Sequence, residues 1–255
     1  MNKQYLIAGL CVLTLALAGC GSDDDDSPMG MTPTPEPMPE PESMTFTYAV
    51  NITNMTRGQP LSPLAAMVFD GEFQMAKMGE PVSVALEVLA ESGDNSQLLD
   101  AAMGSEHVYL ARSAEGGPLM PGLSQTMMLE VNTATDSPEG MYIGLVSMLA
   151  NTNDGITMLS GKDLGGLQVD DTITFETLSY DTGTERNSES ADTIIGPAAA
   201  GGLQEGFNAE RDDFVDELRL HSGVVSFDDG MASSALSEAQ RFDNPVMQVE
   251  ITRMQ

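Results

Sequence analysis

Two short acidic stretches, Asn153-Asp154-Gly155 and Asp181-Thr182-Gly183-Thr184-Glu185, have residue types and spacing suited to chemistry. The first is a tight-turn tripeptide between two β-prone runs, so it can present a carboxylate and a carbonyl at a loop tip. The second leaves a β-prone run and turns at Gly183, which can bring two carboxylates toward one point. Calcium takes about six to eight oxygens at roughly 2.3–2.6 Å from carboxylates, carbonyls and waters. Gathering several anions is costly unless a cation sits among them. Each stretch alone also admits a plainer account, since Asn-Asp-Gly closes ordinary hairpins and a lone Asp commonly caps a turn. No EF-hand spacing occurs, so a metal site here would be assembled from distant segments.

Other chemistries have little to build on. The chain has two histidines, His107 and His221. Gly104-Ser105-Glu106-His107 sets a Ser near a His without the Gly-x-Ser-x-Gly elbow. Close neighbours in sequence do not form a nucleophile–base pair by that fact alone. His107 is expected at a surface or edge and His221 near a strand start. There is no phosphate-cradling glycine loop, no His-Glu-x-x-His motif and no nucleotide fingerprint. With 39 acidic residues, paired carboxylates carry no message about glycoside chemistry. Catalysis is not expected.

The elements that must position the acidic turns read mostly as short strands. Phe46, Tyr48, Val50 and Ile52 alternate with polar or small residues, the period of a half-buried strand. Residues 246–251 are β-rich in the same way, and two such terminal strands are expected to pair. Gly79 to Ala90 reads as a helix with Pro81 in its first turn, stopped at Gly93. A second helical piece is expected from Ser96 to Met103. Further β-prone runs are 108–111, 125–131, 142–149, 156–159 and 172–178, each bounded by Gly, Pro, Asn or Asp. Strands at this spacing suggest a sandwich or barrel. Ser188 to Asp213 lacks periodicity and reads as a long mobile loop.

The N-terminus carries a different chemistry. Lys3 precedes an apolar run from Tyr5 to Ala18, and Leu17-Ala18-Gly19-Cys20 closes it. The run is a secretory signal, residues 1–19, rather than a membrane span. The ending resembles a bacterial lipobox, which implies a lipidated Cys20 after cleavage. Acyl chains contribute about 0.8 kcal/mol per buried methylene, so several hold a protein on a membrane. Gly21 follows the cysteine rather than Asp, which points to the outer membrane. Residues 20–43 read as a tether: an Asp run from Asp23 to Asp26 is followed by alternating prolines that favour extended polyproline II. Residues 44–255 form the expected single domain.

The balance of 39 acidic to 10 basic residues gives a formal net charge of −29. Nucleic acid is excluded as a partner because phosphate binding needs a basic face. Most of the charge is read as solvated surface suited to a salty medium. Of the two cysteines, Cys11 lies in the signal and Cys20 is the lipid site. The domain therefore has no disulfide and depends on burial, hydrogen bonding and possible metal binding. Trp is absent, so Leu, Val, Ile and the 19 Met must fill the core.

Three segments in order resemble one family. They are Asn51-Ile-Thr-Asn-Met-Thr-Arg-Gly-Gln-Pro-Leu-Ser-Pro63, followed by Gly79-Glu-Pro-Val-Ser83 and Leu89-Ala-Glu-Ser-Gly-Asp94; Ser147-Met-Leu-Ala-Asn-Thr-Asn-Asp-Gly155; and Tyr180-Asp-Thr-Gly-Thr-Glu-Arg-Asn187. Together they resemble the spondin N-terminal domain of F-spondin, mindin and many bacterial exported proteins, from about Phe46 to Ile251. The resemblance implies an all-β antiparallel sandwich, shaped like the calcium-and-lipid-binding sandwiches, with one or two short helices. It also implies a bound Ca2+ with Asp154, Asp181 and Glu185 as ligands. This chain departs from the family pattern at Thr182, where Ala is usual, and at Glu185, where animal members often carry Asp. The loop 51–63 is expected to be architectural, its amides and hydroxyls tying it to the preceding strand. The implied role is a lipid-anchored, calcium-binding recognition or adhesion module of the bacterial cell envelope, periplasmic or surface-exposed. Its partners would be the membrane, through the lipid, and a surface glycan, matrix polymer or protein ligand. A structural envelope or biofilm assembly protein is the alternative.

Overall fold

The computed structural model describes residues 43–255. The signal segment, Cys20 and all but the last residue of the tether lie outside the described residues. No helix among those described is long and apolar enough to cross a membrane.

The described chain is antiparallel β with two short helices. In chain order the elements are β1 (Met44–Asn54), β2 (Ala65–Phe69), α1 (Val84–Ser92), α2 (Ser96–Met103), β3 (Val108–Ser113), β4 (Ser124–Thr133), β5 (Tyr142–Met148), β6 (Gly155–Asp163), β7 (Thr172–Asp181), β8 (Arg219–Leu220) and β9 (Met247–Arg253). The hydrogen-bonded order is β3-β2-β5-β6-β7-β9-β1-β4, with β8 added beside β7. The two terminal strands pair as the sequence predicts, with Val50 opposite Ile251 and Ile52 opposite Val249.

β7 belongs to both layers. Its first part, Thr172 to Thr177, pairs with β9, whereas Leu178 to Asp181 pairs with β6. Thr157 and Thr177 share a buried hydroxyl hydrogen bond of 2.6 Å where the strand changes partner. At the far ends Arg112 Nη1 donates to Met128 O at 3.0 Å, joining β3 to β4. The result is a sandwich-like, nearly closed sheet. Tyr48, Val50, Ile52, Leu129 and Val131 from one layer meet Val68, Ile143, Leu145 and Leu159 from the other in the central core.

The other face of β2, β5 and β6 is also covered. Met67, Val146, Met148 and Ile156 pack with Leu86, Leu89, Leu98 and Ala102 of the two helices. Burial on both faces explains why β2 is an unbroken apolar run, Ala65-Ala-Met-Val-Phe69, rather than an alternating one. The helix expected at Gly79 to Ala90 starts later, at Val84, because Ser83 caps it by accepting from Leu86 N at 3.3 Å. Pro81 thus precedes the helix. Gly93 ends it in the left-handed conformation, with its N–H on Leu89 O at 2.9 Å.

Two loops are held by different means. In loop 51–63 Asn54 Nδ2 donates to Gln59 O and Leu119 O at 2.8 and 2.9 Å, and Thr56 Oγ1 donates to Asn54 Oδ1 at 2.8 Å. The loop is tied to the strand before it by its own side chains, as its sequence predicts. The segment 188–213, expected as a free loop, is irregular but packed. Ile194 and Ala199 are buried with Val224 and Leu236 in a small core of their own. That packing sets Glu189 in the interior.

Candidate functional site

The β5–β6 turn and the end of β7 meet at one rim of the sandwich. The register sets Gly155 opposite Asp181, which brings Asp154 beside the turn that follows β7. Thr152 fixes the β5–β6 turn: its Oγ1 donates to Leu149 O at 2.7 Å and accepts from Gly155 N at 2.9 Å. Gly183 has φ +75°, and a Cβ there would lie 2.4 Å from Val215 O. Only glycine meets both conditions, so segment 213–217 can lie directly on this turn.

Asp154 is fully buried. Its Oδ2 accepts from Thr184 N at 2.8 Å, Thr182 Oγ1 at 3.0 Å and Glu185 N at 3.2 Å. Its Oδ1 has no hydrogen-bond partner. Burial, and after it the charge of Asp181, push the Asp154 carboxyl up to about 7 against those hydrogen bonds. Asp181 is buried as well and fully partnered. Its Oδ1 accepts from Gly183 N at 2.9 Å and its Oδ2 from Asn187 Nδ2 at 2.7 Å. Arg219 Nη2 lies 3.0 Å from Oδ1 and 3.1 Å from Oδ2.

Glu185 is placed differently from the other two acids. Its backbone N–H serves Asp154, while its side chain accepts from Asn153 Nδ2 at 3.1 Å. It lines a cavity of about 270 Å3 with Glu91, Glu205, Glu210 and Asp212. Burial, with the charges of Glu91, Asp154 and Asp212, pushes its carboxyl up to about 8 despite the bond from Asn153. Among the described residues no three carboxylate or imidazole groups converge as a metal-holding set.

Three further residues complete the rim, and sequence reasoning missed their part in it. Glu189 is buried; its Oε1 accepts from Val225 N at 3.1 Å and its Oε2 has no partner. Burial, then the charge of Asp181, push its carboxyl up to about 7. Asn187 donates to Asp181 and leaves its own Oδ1 buried without a partner. His221 is buried against Phe242, ring centroids 5.3 Å apart, and its Nδ1 accepts from Gly223 N at 3.0 Å. That bond puts the neutral ring's proton on Nε2, which is buried without a partner. Burial lowers its pKa, although Asp181 pulls the other way.

The Asp154 and Asp181 carboxylates and the Asn187 amide are hard oxygen donors of the kind calcium takes. The other sequence candidate, Ser105 with His107, forms no nucleophile–base pair. His107 Nδ1 bonds Asp70 Oδ2 at 2.9 Å, and Ser105 Oγ accepts from the His107 backbone N at 3.3 Å. The Asp70 hydrogen bond raises the imidazole pKa, which suits a surface ion pair.

No family model matches this chain, and no curated protein matches it.

Proposed function

We propose that this protein is a lipid-anchored envelope module that binds calcium at the Asp154–Asp181 rim and serves in recognition or adhesion. One observation carries the reading: Asp154 Oδ1, Asn187 Oδ1 and Glu189 Oε2 are buried acceptors without partners, Asn187 bonding Asp181 and the other two feeling the charge of Asp181. A buried acceptor left unpaired costs about 1–3 kcal/mol, more when charged, unless something else satisfies it. A divalent cation does so for several oxygens at once. Asp154, Asp181 and the amide oxygen of Asn187 would hold it, with Glu189 acting through its charge and Glu185 contributing its backbone N–H to Asp154 rather than its carboxylate. When bound, the ion supplies positive charge and links the β5–β6 turn to the segment after β7.

The same rim offers a face for a partner. Phe214 is 84% exposed on the segment lying over Gly183, and Arg186 stacks 4.9 Å from its ring centroid. Aromatic and arginine side chains are enriched at protein interfaces. A surface glycan, matrix polymer or protein ligand is the class of partner that fits an exported module of this kind.

Calorimetric titration of the purified protein with calcium tests the metal. A saturable heat is expected, together with a melting temperature that rises with occupancy. Asp181→Asn should remove most of that rise, and an undiminished rise in the variant removes Asp181 from the site. The anchor has its own test: Cys20→Ser should move the protein from the membrane fraction to the soluble fraction. Retention in the membrane fraction would refute lipidation at Cys20.

A further inference from the structure

Asp181 already holds a cation belonging to the chain. Its two oxygens lie 3.0 and 3.1 Å from one guanidinium nitrogen of Arg219, while Asp154 Oδ1, on the neighbouring turn, has no partner. We propose that Arg219 is the site's internal counter-ion, and that a divalent cation displaces it from Asp181. The proposal rests on the calcium reading above and adds what the ion must do on arrival.

Guanidinium stays protonated throughout the accessible pH range. Arg219 cannot leave Asp181 by losing its charge. It can leave only when another cation takes the carboxylate. The rest of its surroundings allow that exchange. Its Nη2 also pairs with the buried carboxylate of Asp213, and its Nη1 donates to Val215 O at 2.7 Å. The side chain is 34% exposed, so it has a second partner and a path to water. Arg219 therefore has two carboxylates, one belonging to the rim and one to segment 213–217.

Displacement is felt by that segment. It is held at its start by Asp212 N on Thr184 O at 3.2 Å, and just past its end by Leu218 N on Glu80 O at 3.0 Å. Between those points Arg219 is the link from the segment to Asp181, and Phe214 sits at the exposed tip. Loss of the Asp181 contact loosens the stretch that presents Phe214. Because binding equilibria are reciprocal, whatever fixes Phe214 in the Arg219-bound arrangement weakens cation binding by the same factor.

The test compares wild type, Arg219→Gln and Arg219→Lys. Calcium affinity is read by calorimetry, and segment opening by the rate of chymotrypsin cleavage at Phe214. Folding of each variant is checked by circular dichroism. Arg219→Gln is expected to bind calcium at least 10-fold more tightly than wild type, with Arg219→Lys between them. In wild type, calcium should speed cleavage at Phe214 several-fold. In Arg219→Gln, cleavage should be fast with or without the ion. Unchanged or weaker affinity in Arg219→Gln overturns the proposal, as does wild-type cleavage that ignores calcium. Either result leaves calcium binding by wild type standing. A wild type that binds no calcium sinks the underlying site as well.

Discussion

With calcium removed, the melting temperature of this protein is expected to fall on the order of 10 °C between pH 5 and pH 8, and calcium should abolish part of that fall. The cause is the set of buried carboxyls at the rim. Asp154 and Glu189 are pushed up to about 7 and Glu185 to about 8, each chiefly by burial. A carboxyl whose folded-state pKa lies above its unfolded value favours folding in its neutral form. That contribution is complete below about pH 4, where both states are protonated, and is lost as pH rises through 7 to 8. Each unit of difference is worth about 1.4 kcal/mol, so even a fraction of the summed effect is several kcal/mol. A domain of this size shifts by about 2–4 °C per kcal/mol. A bound divalent ion reverses the preference for the groups it touches, because the ionised form then has a partner. Glu185 faces Asn153 and the acidic cavity, so its share of the pH dependence should persist in calcium. Thermal melts in chelator and in calcium, at matched ionic strength, measure both slopes. A chelator curve flat from pH 5 to 8 contradicts the idea that buried charge strains this rim. Proton release on adding calcium near pH 6 is a companion readout.

How much of this could be read beforehand depended on whether the decisive contact was local. The alternation in β1 and β9 marks strands with one wet face, and their pairing is observed. β2 escaped notice because both its faces are buried, so its five residues carry no period. α1 was placed too early because Pro81 suggested a first turn, whereas the Ser83 hydroxyl sets the start. The site divides in the same way. Asp154 and Asp181 stand in turn motifs that announce themselves, and strand register brings them side by side. The resemblance implies Glu185 as a ligand, yet the turn at Gly183 aims its N–H at Asp154 and its carboxylate at Asn153. Glu189 and Asn187 lie in a stretch without periodicity, and one Glu among 39 acids is not conspicuous. Arg219 lies 38 residues from Asp181, so its role exists only in the folded chain. The scarcity of basic residues, 10 in all, was the one sequence signal that each could matter individually.

Asp154 offers the sharpest separation between architecture and metal binding, because its two oxygens do different work. Oδ2 accepts from two backbone N–H groups and a threonine hydroxyl and so pins the turn after β7, while Oδ1 is unpaired. Asp154→Ala removes the acceptor and strands the backbone N–H groups of Thr184 and Glu185, while Thr182 Oγ1 keeps Asp154 O at 3.2 Å. At about 1–3 kcal/mol per unsatisfied group, with partial relaxation, the expected loss is about 3–5 kcal/mol with or without calcium. Asp154→Asn keeps an oxygen for those donors and removes the buried charge. In chelator at pH 8 it should be at least as stable as wild type, because the charge that burial penalises is gone. In calcium it should show no stabilisation, since an amide now stands where the free oxygen was. The two substitutions thus part in chelator at pH 8, Asp154→Ala falling well below wild type and Asp154→Asn not, and both erase the calcium response. Should Asp154→Asn fall as far as Asp154→Ala in chelator at pH 8, the carboxylate is stabilising the turn through its charge. The unpaired oxygen would then no longer argue for an ion.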